Sequence, residues 1–352
     1  VRLIRRLTQG PNRSLGLGLL ALVGTVLTGC AKASELPQSP FDTAGPVARA
    51  QTDLMTLSLW FAGGIGLFVT VALLFVVFRY RDKKGNDKSV PKQIQGNHKL
   101  EIAWTLIPII ILGIVGVPTV QTAFATRATQ DPNDLHVIVT GHQWWWEFEY
   151  PQLGIVTANE LYIPTDKDVQ ITLKSADVIH SFWVPKLAGK MDVIPGRENH
   201  MFFNAEREEE FFGQCAEFCG TSHANMKFRV QSLTQDKFDA WVKARQAGAA
   251  TPTDPDALAG MNLFMGANKS KANCIVCHTI DGTNAKAKVG PNLTNVGARS
   301  TIGAGLVENT KEHLMQWIRN PQSLKPGNKM AAHPNLTEQE LEQIVKYLQG
   351  LK

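Results

Sequence analysis

Cys215-Ala216-Glu217-Phe218-Cys219-Gly220-Thr221-Ser222-His223-Ala224-Asn225-Met226 puts two thiols, an imidazole and a thioether within twelve residues, and His180 adds a second imidazole 35 residues earlier. Soft sulfur and imidazole ligands favour copper over magnesium or calcium, and a loop bearing Cys, His and Met on a small β-domain matches a blue-copper site. The second Cys departs from a one-copper site. Two cysteines four positions apart can turn both sulfurs inward and bridge two metal ions, each capped by one His. Met226 can then bind one ion weakly, and the Glu217 carbonyl can bind the other. Three rival readings stand beside this one: a disulfide, the copper-delivery pair of a thioredoxin-like chaperone, and a zinc site. A disulfide leaves His223 and Met226 without a role, and a chaperone of that kind expects an α/β pattern that the chain lacks.

The flanking sequence carries the loop on strands. After Asp131-Pro132, the runs LHVIVTG, HQWWWEFEY, ELYIP, DVQITLKS, HSFWVP, HMFFN, EEFFG and FRVQSL are rich in β-branched and aromatic residues and are separated by turn residues. They predict an all-β sandwich or Greek-key barrel over residues 131–245.

Upstream, Leu57 to Phe78 is 22 residues without a charge and Ile102 to Val120 is 19. Each is long enough to cross a bilayer as a helix, so residues 50–120 read as a two-helix transmembrane hairpin. Between the two, residues 79–99 hold seven Lys or Arg against Asp82 and Asp87, which assigns this connection to the cytoplasm. Everything after residue 120 then lies on the outer face. The first 29 residues agree, with a basic stretch to Arg13 and an apolar run from Leu15 to Leu27. Leu27-Thr28-Gly29-Cys30 resembles a lipoprotein signal, in which Cys30 receives lipid. Glu101, at the cytoplasmic mouth of the second span, reads on spacing alone as a helix-start carboxylate favoured by the dipole.

Residues 246–260 (QAGAATPTDPDALAG) have the composition of an interdomain linker. Cys274-Ile275-Val276-Cys277-His278 follows and reads as a c-type haem attachment site, two thioethers and an axial His. The chain has no further Cys pair after it, so half of a zinc ribbon would lack its other ligands. Met315 and Met330 compete as the second axial ligand, and the helix carrying Met315 makes it the better core residue. LTEQELEQIVKYLQGLK, with its Thr-x-x-Glu start and helical apolar spacing, predicts a C-terminal packing helix. His98, His136, His142, His200, His313 and His333 have no ligand-spaced partners and read as surface or core polar residues.

The formal charge of +5 belongs to the signal and the cytoplasmic connection. Residues 121–251 carry 12 basic against 17 acidic residues, and residues 252–352 carry 11 against 8. A nucleic-acid binder, which needs cations spread over its working face, is excluded. The opposite charges of the two outer domains suit docking between them.

Over residues 50–245 the two spans, Gly141-His142-Gln143-Trp144-Trp145-Trp146, His180 and Cys-x-Glu-x-Cys-x3-His-x2-Met closely resemble subunit II of the haem-copper cytochrome c oxidases. Gly290-Pro291-Asn292-Leu293 and Pro326-Gly327-Asn328-Lys329-Met330 resemble the class I cytochromes c over residues 256–352. The combination is that of caa3-type oxidases. It implies a multi-domain membrane protein: a transmembrane hairpin, a cupredoxin-like domain with the dinuclear copper centre CuA, and an all-α cytochrome c domain over 261–352.

The resemblance assigns His180, Cys215, Cys219, His223, Met226 and the Glu217 carbonyl to copper, and Met330 with His278 to haem iron. It makes the Glu217 side chain a ligand of magnesium at the contact with subunit I, Trp144 the residue where electrons reach copper, and Glu101 the entrance of a proton path. Asp192 and Arg197 resemble family residues near the polar contact between subunits. On spacing alone the Trp run reads as core or membrane-surface aromatics, and Asp192 and Arg197 as turn charges.

The implied function is electron transfer from a donor, a cytochrome c or a quinol-cytochrome c reductase complex, through haem c and CuA to haem in subunit I. Oxygen reduction there is coupled to proton translocation, in the inner membrane of a bacterium, with subunit III as a further partner. Two alternatives remain: the matching subunit of a CuA-containing nitric oxide reductase, and a membrane-anchored carrier working without an oxidase. An anchor alone needs neither two spans nor an acid at a span's mouth. The five cysteines are all absorbed by lipid, copper and haem, which predicts a chain without disulfides.

Overall fold

The computed structural model describes residue 32, residues 36–81, 92–267 and 272–352; the stretch read as an export signal, Cys30 and most of the basic connection lie outside them. Helix α1 (Pro46–Arg79) has Pro46 in its first turn, and α2 (His98–Ala125) starts at Asn97, whose side chain accepts from the Lys99 and Leu100 amides. Both helices are long and apolar enough to cross a membrane. Side chains such as Leu67, Phe68 and Leu112 point outward with no protein cover, as a lipid-facing surface requires. The chain is membrane-anchored through this hairpin.

Helix α1 starts eleven residues before the charge-free run, and that extra length joins the anchor to the outer domain. Ala44, Val47 and Ala48 are buried there. The Ala44 and Ala48 amides donate to the carbonyls of Lys186 and Leu187 at 2.8 and 3.1 Å. Beside them the buried Lys186 ammonium reaches Asp42 at 2.7 Å and Glu209 at 3.0 Å, while Arg207 spans the same two acids. The anchor and the β-domain are therefore tied at a fixed point.

The β-domain is a sandwich of two five-stranded sheets. One holds β1 (Leu135–His142), β2 (Trp145–Tyr150), β3 (Ile155–Ala158), β5 (Val169–Ser175) and β8 (Asn199–Phe203) in the order β3-β2-β1-β5-β8. The other holds β4 (Glu160–Pro164), β6 (His180–Trp183), β7 (Met191–Val193), β9 (Glu210–Cys215) and β10 (Lys227–Leu233) in the order β4-β10-β9-β6-β7. Parallel pairs, β1 with β5 and β10 with β4, sit among antiparallel ones. Alternating burial along the strands sends Trp146, Phe148, Phe182 and Phe228 between the sheets, where Trp146 meets Phe182 edge-on at 5.4 Å. Two strands are not among the runs read from the sequence: β3, only four residues long, and β7, three residues long and carrying Asp192. Arg197 lies beyond it in an exposed loop.

Helix α3 (Gln235–Gln246) closes the sandwich by stacking Trp241 on Tyr162. Residues 247–254 have no regular element, and α4 begins at Pro255, capped by Asp254. The stretch read as a linker over 246–260 is thus extended only in its first part, because Asp254-Pro255 is a helix start. The last domain contains α4 (Pro255–Phe264), a short pair β11 (Thr301–Ile302) and β12 (Val307–Glu308), α5 (Lys311–Arg319), α6 (Pro321–Leu324) and α7 (Glu338–Gly350). The Thr337–Glu340 capping box forms at the start of α7. Helices α4 and α7 cross so closely at Gly260 that a Cβ there would fall 1.9 Å from the Gln343 carbonyl oxygen.

Candidate copper and haem sites

The loop after β9 folds back so that its sulfur and nitrogen atoms converge on the start of β6. Cys215 Sγ and Cys219 Sγ are 3.8 Å apart. Cys215 Sγ lies 3.9 Å from His180 Nδ1 and 3.3 Å from the Glu217 carbonyl oxygen. Cys219 Sγ lies 3.5 Å from His223 Nδ1 and 3.9 Å from Met226 Sδ. Two sulfurs in the middle, an imidazole beyond each, and a carbonyl and a thioether at the flanks are the donor set of a dinuclear copper centre, and the residues fit it. Among the described residues, His180, Cys215 and Cys219 form the one group of three His, Cys or acidic side chains close enough to share a metal ion. The Glu217 side chain is exposed, away from the sulfurs' buried side.

All four cysteines in the described residues are free. The contact with the Cys219 sulfur lowers the Cys215 thiol below the ordinary thiol value; burial opposes this and His180 assists it. The second proton of the pair is correspondingly pushed up. Each sulfur lies beside one imidazole, and a thiol whose proton is more easily lost is better prepared to bind a metal ion.

Asp177, which the motif does not reveal, orients the first imidazole. Its Oδ1 is 2.9 Å from His180 Nε2, leaving Nδ1 toward Cys215. Burial raises the carboxyl, but the contact with His180 and the amides of Gln143 and Val178 outweigh it and hold Asp177 below the usual range. Such a carboxylate behind a ligating His fixes its tautomer. The signal for it was an Asp three residues before the His, at a turn where acids are common.

In the last domain Cys274, Cys277, His278 and Met330 all line one cavity, whose walls include Phe264, Leu293, Ile302, Ile344 and Leu348. Met315 lies outside that cavity. The Pro291 carbonyl, an acceptor only, accepts a hydrogen bond from His278 Nδ1–H at 2.8 Å, so Nε2 keeps its lone pair. Burial lowers the His278 pKa, in the direction of the neutral ring that binds iron. Arg299 is buried on the same cavity, with one Nη donating to the Asn292 carbonyl and the Asn295 side chain while Nε has no protein partner. An apolar hollow with paired thiols, an imidazole, a thioether and an unspent guanidinium nitrogen fits haem with its acidic side arms.

Trp144 touches both sites. Its indole Nε1 donates to the Cys219 carbonyl at 3.0 Å, and the residue lines the same cavity as Cys274, Cys277, His278 and Met330, beside Trp145 and His142. His142 stacks on Trp145 at 4.1 Å. Glu101 lies in the first turn of α2, where His98 Nδ1 contacts it at 3.3 Å, a pairing the spacing did not suggest.

Three family profiles match consecutive parts of the chain. The transmembrane domain of cytochrome c oxidase subunit II matches residues 35–122, its periplasmic domain residues 153–233, and cytochrome c residues 259–352. The cytochrome c oxidase subunit 2 of Alkalihalophilus pseudofirmus is 41% identical over 99% of both chains. That family includes this chain. The corresponding subunit of Bacillus sp. (strain PS3) is 42% identical over 95% of this chain and 96% of its own. A crystal structure of the periplasmic domain of cytochrome oxidase subunit II from Bradyrhizobium japonicum covers 32% of this chain and 94% of that one, at 32% identity and a TM-score of 0.32. The chain is therefore a cytochrome c oxidase subunit II with a C-terminal cytochrome c domain. Membership in that family implies partnership with subunit I, and the two domain types imply haem c and CuA.

Proposed function

We propose that the chain relays electrons within a respiratory haem-copper oxidase, from an outside donor to haem c, then to CuA, then to haem in subunit I for proton-coupled reduction of oxygen to water. In this reading His180, Cys215, Cys219, His223, Met226 and the Glu217 carbonyl hold copper, and Cys274, Cys277, His278 and Met330 hold haem. The position of Trp144 carries the reading, because one residue bonds to the copper loop and lines the haem cavity. Electron transfer needs such a short, packed connection and no acid–base residue. Asp177 keeps the His180 ring aimed at Cys215, and the Pro291 carbonyl keeps Nε2 of His278 free for iron.

The remaining assignments follow the same reading. Glu101 opens a proton path at the cytoplasmic end of α2, the exposed Glu217 carboxylate binds magnesium at the contact with subunit I, and Cys30 carries lipid. Both outer domains face the periplasmic side of a bacterial plasma membrane, subunit III completes the complex, and a cytochrome c or a quinol-cytochrome c reductase supplies electrons.

The test is purification of the complex from membranes, followed by optical and electron paramagnetic spectra. A c-type haem band together with the hyperfine pattern of two equivalent coppers is the expected result. A missing haem band, or a one-copper pattern, overturns the assignment.

A further inference from the structure

The boundary between the β-domain and the haem domain contains a lysine that the electron route leaves unexplained. Lys325 is 2% exposed, and among the described residues its ammonium bonds to no acid. Its ammonium donates to the Trp144 carbonyl at 2.6 Å and to the Gly303 carbonyl at 2.7 Å, one in each domain. Burial pushes the group down to about 7. A buried amine without a carboxylate costs stability, so two carbonyls are a poor reason to place it there for folding alone.

The residues that follow Lys325 extend the contact. The Pro326 carbonyl accepts from Ser222 Oγ in the copper loop at 2.5 Å. Gly327 has φ +81 and passes so near the Trp144 ring that a Cβ would stand 3.1 Å from it. Asn328 Nδ2 donates to the Lys325 carbonyl at 2.6 Å, and its Oδ1 accepts from the Met330 amide at 3.0 Å. A continuous set of hydrogen bonds thus runs from the Trp144 peptide, through Lys325 and Asn328, to the backbone of Met330.

We infer that Lys325 is an interdomain positioning residue: by clamping the Trp144 and Gly303 carbonyls it locks the Met330 loop against Trp144 and holds the haem and copper sites in a single electron-transfer geometry. The inference rests on the proposed roles of Trp144 and Met330 and adds the device that sets their separation. Lys325 contacts no reacting atom and acts through the Trp144 peptide.

The test uses the full chain in its purified complex, with Lys325→Met and, as a milder change that retains a donor, Lys325→Gln. Internal transfer from photoreduced haem to copper is followed at several glycerol viscosities. Magnetic relaxation of the copper signal by oxidised haem reports their separation independently of activity. The unmodified chain should transfer at a viscosity-independent rate. Lys325→Met should slow transfer about tenfold, since hydrogen bonds from a charged group are lost. It should also make the rate viscosity-dependent and weaken the relaxation effect, with both cofactor spectra unchanged, and Lys325→Gln should fall between. Unchanged rate, viscosity response and relaxation in either haem-loaded variant overturn the inference. If the unmodified chain shows no transfer at all, the functional reading fails instead, and the relaxation measurement still decides whether Lys325 sets the separation.

Discussion

The copper loop and the haem cavity are two ways of building a cofactor site. At the copper loop the protein's own donor atoms already stand 3.3–3.9 Å from one another, on a sandwich whose core is complete without metal. In the haem domain the core residues Phe264, Ile302, Leu314, Ile318, Ile344 and Leu348 surround a hollow. The first site is preformed, its sulfurs buried as part of the sandwich core, whereas the second lines a hollow that the cofactor would fill. The β-domain should therefore tolerate loss of its cofactor, and the haem domain should not.

The largest effect expected is the loss of haem attachment through Cys274→Ala with Cys277→Ala. An unfilled hollow at the centre of a core costs more than the roughly 5 kcal/mol of the largest single truncations, comparable to a whole domain's stability. Calorimetry should show the haem domain's transition vanish while that of the β-domain remains; a retained transition breaks the comparison. The matching change at copper, Cys215→Ala with Cys219→Ala, should abolish copper binding yet shift β-domain stability by less than about 2 kcal/mol. Denaturant melts of the metal-free chain measure this.

Asp177→Asn comes next. With the carboxylate behind His180 removed, copper affinity should fall about 10- to 100-fold in metal-competition titrations while the fold is kept. Trp144→Phe keeps an aromatic ring but deletes the bond to the Cys219 carbonyl, which should cost about 1 kcal/mol of β-domain stability in the same melts.

Salt should act most weakly. The domains' opposite charges meet across the boundary at Lys329 and Asp177, 3.7 Å apart with the lysine largely exposed. Internal transfer should change by about twofold between low and high ionic strength. No change would remove charge complementarity from the account.

The same contrast governs what could be read from the sequence. The copper donors are legible because five lie on one short loop, and the haem thiols because Cys-x-x-Cys-His is contiguous. Helix α1 outruns its charge-free stretch because Arg49 and Asp53 lie on a part outside the apolar run, where a charge is no obstacle to helix. Residues that act across the domain boundary carry no local pattern. Lys325 meets Trp144 across 181 positions, and Glu160 of β4 accepts from the Ser300 amide across 140. Neither pairing has a spacing rule, since docking of the two domains creates it.

The central claim is that haem and copper exchange electrons within one chain through the docked face at Trp144. Photoreducing the haem of the purified complex and following the copper band over a range of protein concentrations tests this most directly. The account predicts copper reduction matched in time to haem reoxidation, at a rate independent of concentration. A rate that scales with concentration, or haem reoxidation without copper reduction, would contradict it.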